Sequence, residues 1–130
     1  MKVEEVAEAV CRMAHDFFYL ADRSMLDLLA ASGYLQVHEA ITEQHLQSIF
    51  SANPDLIRPW LSVRNGGKYG HYLLQPGTSA DHNDWVVGYN PRGKAEHFRD
   101  ASAACARFVK CKAESLRYMI EGGPPIRRMQ

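Results

Sequence analysis

The chain has 130 residues, 46% hydrophobic and 23% charged, and its 15 Lys and Arg balance its 15 Asp and Glu. That length fits one domain able to bury its own core, and the composition excludes a disordered polyelectrolyte. No apolar run approaches the ~20 residues of a membrane-spanning helix, and three cysteines without metal spacing suit reduced thiols in a cytoplasm.

Zero net charge hides a split. Residues 1–62 carry four basic and nine acidic side chains, net −5, while residues 63–130 carry eleven basic and six acidic, net +5. The two halves are expected to neutralise each other within the fold; the alternative is two faces of opposite potential. Six acids interrupt the basic half and no Lys/Arg run exceeds two, so the clustered positive charge that drives nucleic-acid binding is missing. Neither a nucleic acid nor a membrane is expected as a partner. Glu4, Glu5 and Glu8 interrupt the N-terminal apolar residues, so no signal-peptide core is read there.

Val6, Val10, Met13, Phe17 and Leu20 follow steps of three and four, the apolar stripe of a helix. Helix is predicted from about 3 to 32, with a break near 22–24, where Ser24 offers a new cap, and a stop at Gly33. Thr42 caps a short helix with Leu46, Ile49 and Phe50 on one face. Asn53-Pro54 ends it and opens another short helix, Asn53 as cap, with Leu56, Ile57, Trp60 and Leu61 as its apolar face.

Arg64-Asn65-Gly66-Gly67-Lys68 is a turn, read as an internal hinge, and the periodicity changes after it. Tyr69 to Gln75 and Trp85 to Asn90 are aromatic and β-branched, the signature of two antiparallel strands joined by a loop over 76–84. A turn at Asn90-Pro91-Arg92-Gly93 leads to a third, edge strand over Lys94 to Phe98. Asp100 caps a last helix that Gly122-Gly123-Pro124-Pro125 terminates. Ala101, Ala104, Cys105, Phe108, Lys112, Ser115, Leu116 and Met119 fall on its buried side; Arg107, Lys110, Glu114, Arg117 and Glu121 line the other. Residues 126–130 form a tail with little to hold it. The prediction is a single α+β domain over 1–130: a helical N-terminal half, an antiparallel β-meander of two or three strands, and a long C-terminal helix packed on it.

Candidate chemistry is sparse. Six histidines (His15, His38, His45, His71, His82 and His97) form no His-x-x-x-His pair and no ligand cluster with cysteine, so no metal and no cofactor is expected. The alternative is convergence of His71, His82 and His97 on the sheet with Asp81 or Asp84, as a small metal- or histidine-dependent enzyme. Cys105 sits among alanines on the presumed buried helix face, where a thiol is a small apolar group of raised pKa. Asn65-Gly66-Gly67-Lys68 lacks the spacing of a phosphate loop. No catalytic residue is assigned.

Aromatics and one loop say more. Trp85 and Tyr89 share a strand face, with Tyr69 and His71 opposing them, and Trp60 precedes the turn. Such side chains pack under helices or anchor a protein partner; a nucleic-acid module stacking bases on them is the least favoured reading. The loop Asp81-His82-Asn83-Asp84 is either an ordinary solvated loop or a negatively charged lure for a basic partner. Asp81, His82, Asp84, Trp60 and Tyr69 are therefore the candidate partner-binding residues.

Trp85-Val86-Val87-Gly88-Tyr89 in a strand, a short turn, His97-Phe98, and Ala103-Ala104-Cys105-Ala106-Arg107-Phe108 opening a helix through Glu114 form one pattern. Over Tyr69 to Glu121, under half of the chain, it resembles a segment of small immunity proteins from bacterial polymorphic-toxin systems. The resemblance implies an α+β scaffold in the bacterial cytoplasm, without an active site, that neutralises one cognate toxin by direct contact. Contact residues vary with the toxin in such proteins, so the resemblance carries over no functional residue.

Overall fold

The structure, a computed structural model, describes residues 2–20, 22–63, 70–77, 84–90 and 95–122. Helices α1 (Val3–Cys11) and α2 (Met13–Tyr19) are followed by α3 (Met25–Ser32) and the short α4 (Tyr34–Val37) with a 3-10 turn at His38–Ala40. Next come α5 (Glu43–Ala52), a second 3-10 turn (Pro54–Leu56) and α6 (Ile57–Leu61). The meander β1 (Gly70–Leu74), β2 (Trp85–Asn90) and β3 (Glu96–Phe98) leads into α7 (Ala101–Glu121). The fold is α+β as predicted.

Local chemistry explains most boundaries. Ser24 accepts from the Asp27 N–H at 3.1 Å and restarts the chain as α3. Gly33 ends that helix at φ 91, a left-handed backbone that costs glycine little. Thr42 and His45 cap α5 reciprocally, each side chain bonded to the other's backbone N–H at 3.2 Å. Asp100 accepts from the Ala103 N–H at 3.0 Å, and Gly122 closes α7 at φ 73.

Four details differ from the sequence reading. The first helix is interrupted at Arg12 as well as beyond Leu20. Residues 34–40, left unassigned by periodicity, form α4 and its 3-10 turn. Asn53 does not cap the following turn: its Nδ2 donates backward to the Ile49 carbonyl at 3.0 Å, and Pro54 opens a 3-10 turn. Met119 is 66% exposed, because the buried stripe of α7 runs through Ala104, Cys105, Phe108, Val109, Ala113 and Leu116 and ends a turn earlier. The proposed hinge at Gly66-Gly67 and the tail over 126–130 lie outside the described residues.

The sheet is antiparallel in the order β1-β2-β3. Leu73 faces Val87, Val87 faces Glu96, and Trp85 faces Phe98. Cross-strand partners share a face, so these residues form the side that meets α7. The other side carries Tyr72, Gly88, Leu74, Val86 and His97. Helix α7 packs on α3, α5, α6 and all three strands. One apolar cluster joins Val6, Val10, Leu29 and Phe50 from the first half to Leu73, Val87, Phe108 and Leu116 from the second.

Candidate functional site

Helix α7 carries the most ordered polar chemistry. Tyr34 is fully buried, and its hydroxyl donates to Glu114 while accepting from Lys110 Nζ at 2.8 Å. Lys110 also donates to the His38 carbonyl at 3.0 Å, fixing the 3-10 turn to α7. Arg117 donates to Glu114 at 2.9 Å and to Glu121 at 2.6 Å. One turn back, Arg107 joins Glu43 of α5 at 2.7 Å and Glu96 of β3 at 2.9 Å.

These contacts bias protonation. Burial, then the hydrogen bond to Glu114, pushes the Tyr34 hydroxyl well above the usual range. Burial alone would raise Glu114, but hydrogen bonds from Arg117 and Tyr34 outweigh it and hold the carboxyl below its usual range. Lys110 is lowered, chiefly by burial. Hydrogen bonds to Glu43 and then Glu96 strengthen the hold of Arg107 on its proton. A phenol kept neutral and a carboxylate kept charged, both tied to neighbours, join α4 to α7.

The thiols behave as predicted for Cys105. Burial, then Glu8, pushes Cys11 up to about 12; burial, then Cys11, raises Cys105 well above its ordinary value. The Cys11 thiol points at the Leu46 carbonyl, 3.8 Å away. Cys111 is raised by burial against the opposing pull of Arg107. None of the three is an activated thiolate.

The described histidines serve separate places. His45 caps α5. His15 Nδ1 lies 3.1 Å from Asp16, and its ring stands 5.1 Å from that of Tyr19. His71 opposes Tyr89, ring centroids 4.7 Å apart, and burial, followed by Lys112 and Arg107, lowers its pKa. His97 lies 3.6 Å from Asp84. His71 pairs with Tyr89 and His97 with Val86, three residues away on β2, so the two imidazoles occupy opposite faces of the sheet. Among the described residues no group of three or more His, Cys, Asp or Glu side chains is placed to hold a metal ion.

The five candidate contact residues separate. Tyr69, Asp81 and His82 lie outside the described residues. Asp84 is half-exposed at the start of β2, beside His97. Trp60 is a correction: it is 1% exposed, its indole N–H donates to the Cys11 carbonyl at 2.9 Å, and its ring stands edge-on to Phe108 at 6.1 Å. Sealed between α1 and α7, it offers no surface to a partner.

Sequence reading missed the end of α2. Phe17 and Leu20 continue the spacing of Val6, Val10 and Met13, which predicts burial, yet core contact ends at Ala14. Phe17 is 37% exposed, Phe18 is exposed too, and Tyr19 and Leu20 reach 71% and 72%. The run itself held the signal: at 100° per residue, four consecutive apolar side chains cover every side of a helix, and one core cannot take them all. Large apolar side chains left exposed together at one helix end are candidates for contact with another molecule.

Charge compensation is equally uneven. Of the ion pairs given above, Glu43–Arg107 crosses between the halves. Among the described residues, Glu4, Glu5, Glu8, Asp22, Asp27 and Glu39 have no basic group within 4.0 Å. Among the described residues, ion pairing between the two halves is therefore seen between α7 and α5 and not on α1 to α3.

No protein family matches the chain, and comparison with curated proteins and with solved structures finds no match. Among the described residues no helix is long and apolar enough to cross a membrane.

Proposed function

We propose that this chain is an immunity-type binding protein of the bacterial cytoplasm that neutralises a cognate toxin by direct protein–protein contact. The exposed run Phe17-Phe18-Tyr19-Leu20 supports this reading most strongly. Large aromatic and aliphatic side chains with few rotatable bonds are the usual anchors of an interface, and a few of them carry most of its affinity. With a common footprint of about 800 Å² on each partner, the run supplies the centre and the flanking helices the rim. Inhibition then follows from covering the toxin's active site or holding it in an inactive shape.

The test is co-expression with the toxin domain encoded by a neighbouring gene, followed by sizing of the purified pair. Rescue of growth and a stable complex are expected, and Tyr19→Ser with Leu20→Ser should abolish both while the chain stays folded. Two species that remain separate at micromolar concentration would count decisively against the reading.

A second reading, a small histidine-dependent enzyme, draws on the His97–Asp84 pair at 3.6 Å. A carboxylate beside an imidazole orients it for proton transfer. His97→Ala would then eliminate the biological activity without unfolding the chain; unchanged activity in that variant removes this alternative.

A further inference from the structure

Backbone hydrogen bonds from Arg12 to Glu8, from Asp16 to Arg12 and from Leu20 to Asp16, at 3.0, 2.9 and 3.0 Å, carry one helical line through the joint between α1 and α2. Side chains four apart lie on one face, so Glu8, Arg12, Asp16 and Leu20 form a stripe about 18 Å long. His15 links Tyr19 to Asp16. Glu4 and Glu5 extend the stripe at one end, and Asp22 follows it at the other. Residues 2–27 hold six acids against Lys2, Arg12 and Arg23, net −3. Of the bases of α7, Arg107, Lys110 and Arg117 are engaged with Glu43, Glu96, Glu114 and Glu121 rather than with this segment.

An apolar patch in a negative surround is repelled by a nucleic acid, by an anionic bilayer and by a second copy of itself. A basic protein surface meets the opposite condition. We infer that the α1–α2 stripe docks a partner surface that is basic around an apolar pocket, the pocket taking Tyr19 and Leu20 while cationic side chains face Glu8, Asp16 and Asp22. This rests on the direct-contact reading above and supplies the chemistry of the partner. Long-range attraction governs the association rate, and the buried apolar anchors govern dissociation.

The probe is an amphipathic lysine–leucine peptide of about four helical turns, titrated into the isotope-labelled full chain and followed by amide shifts. Shifts should concentrate between Glu8 and Asp22 and vanish in the Tyr19→Ser/Leu20→Ser chain. Binding should weaken roughly tenfold when salt rises from about 50 to 200 mM. Replacing every lysine of the peptide by glutamate should abolish it. Equal binding of the glutamate peptide, insensitivity to salt, no binding at all, or shifts centred on α7 or the sheet would overturn the inference. Failure of the immunity reading is distinguishable: the neighbouring toxin goes unbound while the cationic peptide still maps to the stripe. Conversely, a toxin bound at undiminished rate by a Glu4→Gln/Glu5→Gln/Glu8→Gln chain retains that reading and removes the basic partner.

Discussion

Helix α7 and the α1–α2 pair are both amphipathic, and they use their surfaces in opposite ways. On α7 the polar side is occupied: Arg107, Lys110 and Arg117 each bond at least one neighbour, and Tyr34 is tied to the same network. On α1, Glu4, Glu5 and Glu8 have no basic partner among the described residues, and at the end of α2 apolar side chains remain in water. Stability is concentrated where groups are satisfied, and the binding capacity proposed above where they are not. Substitutions on α7 should therefore register in folding, and substitutions at the end of α2 should leave folding almost untouched.

The largest effect is expected from Phe108→Ala, which opens a cavity beneath Trp60. A loss of about 3–5 kcal/mol is anticipated in denaturant unfolding, and a loss below ~1 kcal/mol would mean that α7 does not organise the core. Next comes Glu114→Ala, which deprives the buried Tyr34 hydroxyl of its acceptor and should cost about 1–3 kcal/mol. A double cycle with Tyr34→Phe should show coupling between the two sites; additivity would dismantle the network.

Smaller effects belong to pH. The folded chain holds Glu114 below the usual 4.5, so its contribution is complete above that value and fades as pH falls through the lower folded pKa. Glu114→Gln should flatten the acid limb of a stability–pH curve. Cys11, moved from 9.0 to about 12, acts at the other end: the neutral thiol is favoured by folding, so its contribution is intact below pH 9.0 and declines as pH rises toward 12. Cys11→Ala should reduce that alkaline decline. Smallest of all, Tyr19→Ser/Leu20→Ser should shift unfolding by no more than about 0.5 kcal/mol; a larger change would show that α2 contributes to the core, and would blunt the contrast with α7.

Where a local rule sufficed, the fold was readable from residues alone. Ser24, Thr42 and Asp100 cap helices because their side chains reach a backbone N–H three residues on, and Gly33 and Gly122 end helices because they take positive φ. Trp85–Asn90 matched its strand from aromatic and β-branched content. Periodicity failed where tertiary extent decides. It cannot tell that core contact ends at Ala14, so Phe17 and Leu20 looked buried; nor that α1 and α7 close over Trp60, so Trp60 looked available. Charge counting gave the −5 and +5 halves but not which carboxylates find a partner, since that depends on α5 and β3 both meeting Arg107. The sheet register likewise separates His71 from His97, a relation that only strand pairing establishes.

The setting of Trp60 gives the molecule an optical reporter of its own. The chain has two tryptophans, one locked among helices and the other, Trp85, on the central strand. An indole sealed from water emits at shorter wavelength than a hydrated one, so Trp85→Phe leaves a fluorophore that reads only the helical interior, and Trp60→Phe leaves one that reads the meander. In each variant, a fluorescence trace that coincides with the melting of its backbone circular dichroism would establish a single cooperative unit, and a trace that departs from it would locate the weaker layer.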